Sequence, residues 1–183
     1  EATIEIALKD LRRDKTGQIK ARLAEFAQRG QSHFASLLST LIINGPSTVC
    51  YDGQYFFDTD HSEGGSGTLN NDITTDISAL PVSVHGTVTA PSKEEMLQSI
   101  TASISQFFTF KDDQGEPINE DAKSFLVMVP VGLAPAARSA LSSLNDIGAG
   151  MFTLDGYNVG LVVNPRLTAG GWADEFVTFR TDG

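Results

Sequence analysis

The chain has 183 residues, 40% of them hydrophobic and 20% charged, with 13 Lys and Arg against 23 Asp and Glu for a formal net charge of −10. This length and composition suit one main domain that can bury a core, with or without a protruding element. No run of 18 apolar residues is present and no signal-peptide pattern opens the chain, so a soluble protein without a membrane-spanning helix is expected; the lone cysteine, Cys50, rules out an intrachain disulfide and suits a reducing compartment.

Residues 1–8 alternate, with Ile4, Ile6 and Leu8 against Thr3 and Glu5, and read as a short strand. From Asp14 to Asn44 one period is sustained: Ile19, Leu23, Phe26, Gly30, Phe34, Leu37, Leu38, Leu41 and Ile42 recur by threes and fours, which predicts one long amphipathic helix. Asp14 or Thr16 can cap its start, and Asn44-Gly45-Pro46 offers a left-handed stop followed by a residue that cannot continue the helix. At about 1.5 Å per residue the helix spans roughly 40 Å, so it acts as a spine. Residues 1–30 carry a charge of +2 and the remainder −12. That asymmetry admits a solvated helix face with internal ion pairs, a weak nucleic-acid patch, or head-to-tail pairing of basic end and acidic body.

Residues 46–50 read as extended. Asp52-Gly53 is a turn, Tyr55-Phe56-Phe57 an aromatic anchor, and 63–72 a mobile surface loop rich in Gly and Ser. Residues 76–90 read as a strand with a bulge or turn at Gly86. Ser92 to Glu95 is a capping box that opens a helix to about Phe108 on Met96, Leu97, Ile100 and Ile104. A polar turn at 111–117 leads to a buried strand over 125–131, a helix over 133–144 with Pro135 in its first turn, a glycine-punctuated loop, and closing strands at 157–164 and 175–180. The order of elements is α+β rather than a regularly alternating sheet.

Chemistry-bearing residues concentrate in one place. Asp52, Asp58, Asp60 and His61 could converge on a divalent metal, and a metal-dependent hydrolase using Asp58, Asp60 and His61 is one functional reading; the other is that Asp58, Thr59 and Asp60 make side-chain turn bonds to the backbone beside the aromatic anchor. Cys50 could pair with His61 or simply pack as a small apolar residue. The glycines at 64–67 lack the Lys-Ser/Thr ending of a phosphate loop, and Trp172 could stack on a ligand but reads first as an anchor for a turn. No catalytic, cofactor or metal residue is assigned.

The segment YDGQYFFDTDH (51–61), with the preceding AQRGQSHFASLLSTLIING and the later QFFTFKDDQGEPI and FLVMVPVGLAPAARSAL, resembles the major head subunit of Mu-like phages and prophages over roughly residues 14–145. The resemblance implies the tailed-phage major capsid fold of the Hong Kong phage type: a peripheral part at 1–50 with a spine helix at 14–44, an extended loop and linking strand at 51–91, and an axial domain at 92–183 of mixed sheet and helices. It implies a structural, non-enzymatic subunit that needs no cofactor and assembles with itself into pentamers and hexamers of an icosahedral DNA-containing shell. Expected partners are scaffold or protease, portal and decoration proteins, with only weak non-specific contact to packaged DNA and none to membrane. The expected location is the virion, after assembly in the bacterial host cytoplasm. The resemblance further implies an N-terminal arm with most of an extended loop, and a last peripheral strand, that have no counterpart in these 183 residues, so a cleaved or trimmed chain is expected.

Overall fold

The computed structural model describes Lys9 and residues 17–142, 152–154, 156–169 and 171–183. The chain divides into two units, Glu1–Leu41 and Ile42–Gly183. The strand expected over residues 1–8 and the caps expected at Asp14 and Thr16 lie outside the described residues.

Helix α1 spans Gln18–Asn44, close to the expected spine. Good helix formers fill its first half, an Arg29 to Glu25 ion pair of 2.6 Å lies one turn apart, and the hydroxyls of Ser39 and Thr40 donate to carbonyls four residues back. The stop differs from the expected one. Asn44 stays right-handed (φ −85°, ψ −5°) and the helix tightens directly into a 3₁₀ turn, Gly45–Ser47, so residues 46–50 are not simply extended. Gly45 is there for space: a Cβ would collide with the Phe57 ring.

In the second unit α2 spans Lys93–Phe107, and the capping box forms as expected. The Ser92 hydroxyl accepts from the Glu95 N–H at 3.1 Å, and the Glu95 carboxylate accepts from the N–H of Ser92 (2.8 Å) and of Gly86 (2.9 Å). These backbone donors, Ser92 first, hold the Glu95 carboxyl below its ordinary pKa. The strand expected over 76–90 is absent: the segment holds a 3₁₀ turn, Val82–Val84, and a tight bridge between Thr87 and Ala90, with Val82 and Val88 exposed. Pro81 and the approach of Gly86 to the Ala90 carbonyl and Ser92 amide leave no neighbour for a ladder.

A four-stranded mixed sheet of order β2-β3-β1-β4 carries the body, with β1 at Ser124–Val129, β2 at Phe152–Leu154, β3 at Tyr157–Val163 and β4 at Val177–Arg180. β1 runs parallel to β3 (Phe125 opposite Val159) and antiparallel to β4 (Phe125 opposite Arg180). Helices α3 (Ala134–Ser142) and α4 (Pro165–Ala169) flank it; α4 and β2 carried no periodic signal because each is too short to show one.

The unbroken apolar run of β1 has a clear cause, since both its faces are covered. Phe125, Val127 and Val129 point into a cluster with Met96, Ile100, Ile104 and Leu141, while Met128 joins Ile42, Leu167, Trp172 and Val177 on the other side. Gly160 of β3 lets the Leu126 side chain lie where a Cβ would stand only 3.0 Å away. Arg180 closes the edge: it donates to Asp182 (3.0 Å), Asn119 (3.0 Å) and Asp121 (2.8 Å), while Asp182 accepts from the N–H of Lys123 and Ser124. The result is the α+β architecture the sequence implied.

Candidate functional site

Two features stand out, and the first is the face of α1. Leu23, Phe26, Phe34, Leu37, Leu38 and Leu41 are all exposed, Phe34 at 73% and Leu41 at 68%, and among the described residues neither apolar cluster includes any of them. Only Ile42 and Ile43, in the last turn, enter a core. A row of large exposed apolar side chains about five turns long marks an interaction surface.

The second feature is the segment from Val49 to Asp72. A tight turn at Cys50–Gly53, where Gly53 takes φ +87°, brings Val49 opposite Tyr55. Phe57 then anchors the segment, its ring against Gly45 and 5.6 Å from Trp172 centroid to centroid. Tyr55 and Phe56 are exposed, so the expected aromatic anchor is Phe57 alone. The 63–72 stretch is not the free loop expected from its glycines. The Gly65 N–H donates to the Asp113 carbonyl at 2.5 Å, Ser66 is buried, Leu69 bridges back to His61, and Gln106 donates to the Asn70 carbonyl at 2.6 Å. Glycines 64 and 65 are required because a Cβ at either would press on that carbonyl.

The acidic residues divide between two tasks. The Asp58 carboxylate accepts from the N–H of Thr59 (2.7 Å) and Tyr55 (3.2 Å), which lowers its pKa, and Asn71 ties the same corner by accepting from the Asp58 N–H and donating to the Phe56 carbonyl. Asp52 accepts from His61 Nδ1 at 2.6 Å and from the Gln54 N–H at 3.1 Å, with only 4% of its side chain and 16% of that of His61 exposed. The carboxylate fixes the imidazole with Nδ1 protonated; Nε2 is buried and has no hydrogen-bond partner among the described residues.

Asp58, Asp60 and His61 therefore do not assemble a metal centre: among the described residues no group of three His, Cys, Asp or Glu side chains could hold an ion. The turn-bond reading of Asp58 is the one the geometry bears out. Cys50 is half-buried, and His61 turns Nδ1 to Asp52. The Asp52–His61 pairing and the hub role of Asn71 had no sequence signal beyond proximity, because both depend on how the turn at Gly53 folds the chain back.

The His61 hydrogen bond, followed by that from Gln54, depresses the Asp52 pKa. A carboxyl depressed in the folded state stabilises above its unfolded pKa, and this contribution is lost as pH falls through the depressed value. His61→Ala should therefore reduce stability near neutrality and flatten the decline below about pH 4. Thermal unfolding from pH 7 to pH 3 checks this; parallel profiles for parent and variant would refute the coupling.

Over residues 1–80 the chain matches the family model of the Mu-like prophage major head subunit gpT. That span contains α1 and the Val49–Asp72 segment; α2 and the sheet fall outside it. A stretch of 63 residues is 35% identical to the Mu-like prophage FluMu major head subunit of Haemophilus influenzae, covering 34% of this chain and 20% of that protein. The match thus spans about a fifth of the length of the curated relative. No solved structure matches. Among the described residues no helix is long and apolar enough to cross a membrane.

Proposed function

We propose that this chain is a structural subunit of the head of a Mu-like phage or prophage, working by association with copies of itself rather than by catalysis. The observation that carries the reading is the coincidence of two things: the family match over residues 1–80, and the presence in that span of a 27-residue helix with its apolar face exposed. In this reading α1 is the spine of a tailed-phage capsid fold of the Hong Kong type, residues 51–91 link it to the body, and residues 92–183 form the axial domain that packs into pentamers and hexamers of an icosahedral shell. A shell of this kind is held by many modest interfaces repeated by symmetry. Portal, scaffold or protease and decoration proteins are its partners, the virion its location and the bacterial cytoplasm its place of assembly. A pI near 4.6 keeps contact with packaged DNA weak and non-specific.

Light scattering over a wide range of concentration and salt, with electron microscopy of the same samples, tests the proposal. Rings, sheets or shells are expected. Particles that never exceed a small fixed oligomer would overturn self-assembly by this chain.

A further inference from the structure

The apolar row of α1 has an internal symmetry. Ile19, Leu23 and Phe26 lie 11, 7 and 4 residues before Gly30, and Phe34, Leu37 and Leu41 lie 4, 7 and 11 residues after it. These six positions read the same in both directions, while Leu38, also exposed, has Arg22 at its mirror position. The pattern also repeats every 11 residues, or 3.67 per turn, so the row runs almost straight along the helix for roughly 33 Å. A row of this kind presents the same surface to a copy of itself turned end for end.

Gly30 at the centre has no packing partner among the described residues. Its φ is helical, and a Cβ built on it meets no neighbouring heavy atom within 4 Å. Glycine within a helix disfavours the helix relative to alanine, so neither the backbone nor packing against the described residues accounts for it. Close approach of a second backbone does.

The charges select the direction. All four formally charged side chains of α1, Lys20, Arg22, Glu25 and Arg29, precede Gly30, and none follows up to Asn44. A parallel pair would set Lys20, Arg22 and Arg29 beside their own copies. An antiparallel pair sets the charged half against an uncharged half and brings Lys20 to the partially negative C-terminal end of the other helix.

We propose that two copies of this chain associate through α1 in an antiparallel, two-fold pair whose axis passes by Gly30. Ile19 faces the partner's Leu41, Leu23 the partner's Leu37 and Phe26 the partner's Phe34. The pairing goes beyond the head-subunit reading and stands on the helix alone.

Cross-linking tests it in a Cys50→Ser background. Chains with Leu23→Cys and chains with Leu37→Cys, mixed and oxidised, should form the mixed disulfide, whereas Leu23→Cys alone should not, because two antiparallel copies hold these positions about 21 Å apart. Gly30→Ala, which favours the isolated helix, should weaken association at least tenfold by analytical ultracentrifugation. A dominant Leu23→Cys homodimer, an unchanged dissociation constant in Gly30→Ala, or a monomer at every concentration would each overturn the pairing; the last would assign the face to another segment of the chain or a different protein. Shells without the mixed disulfide would sink the pairing and leave the head reading standing. Cross-linked pairs that never grow larger would do the reverse.

Discussion

A chain carrying Phe34→Asp and Leu37→Asp is expected to lose self-association by on the order of a thousandfold while its own fold is unaffected. Each fully buried apolar side chain contributes about 1.5–3 kcal/mol, and two-fold symmetry enters every substitution twice, so even half-burial of four side chains amounts to about 3–6 kcal/mol. Setting carboxylates into that seam adds desolvation on top. Among the described residues the same side chains are exposed and belong to neither apolar cluster, so replacing them removes no core contact. Sedimentation gives the association constant, and unfolding at a concentration where the parent is dissociated gives the fold. A fall in the unfolding temperature of the dilute variant would show these side chains to be internal contacts instead.

Phe125→Ala should act in the opposite way, lowering stability by about 3–5 kcal/mol with no direct effect on association. Phe125 is 1% exposed and packs its ring 5.4 Å from Phe107, 6.3 Å from Phe108 and 5.7 Å from Tyr157, centroid to centroid. Removing it takes one wall from three other rings as well as leaving a void beside Val127 and Val159. For a chain of this length the unfolding temperature should drop by roughly 6–20 °C. Calorimetry decides it, and a loss below about 1 kcal/mol would mean that α2 and β1 are not packed through this ring.

The sequence was most legible where a local rule and the tertiary environment agree. The spine period, the Ser92–Glu95 box, the apolar run of β1 and Pro135 at the start of α3 each rest on a requirement that a few adjacent residues satisfy by themselves. It misled where tertiary contact overrides composition. The glycines at 64 and 65 look like freedom, yet they admit the Asp113 carbonyl, and the alternation of Val82, Val84 and Val88 finds no partner strand. The carboxylates at 52, 58 and 60 look like ligands, but two of them are taken by local donors: Asp52 by His61 and Gln54, Asp58 by Thr59 and Tyr55. What periodicity does carry is the existence of an apolar face on α1; that the face is exposed among the described residues has no signature in the period itself.

The pairing of β1 with β4 also sets a clock. Phe125 and Arg180 are opposite one another across 55 residues of chain, whereas α2, β1 and α3 follow one another closely in sequence. Loop-closure entropy makes the local unit of α2, β1 and α3 the early folder and β4 a late arrival. Until β4 docks and Arg180 reaches Asn119 and Asp121, one side of the most apolar strand in the molecule lies open to any other extended chain. A protein made in many copies at once would meet its greatest hazard of mispairing in that interval, and the speed of the final strand, rather than the depth of the finished core, would govern how much of it reaches the native state.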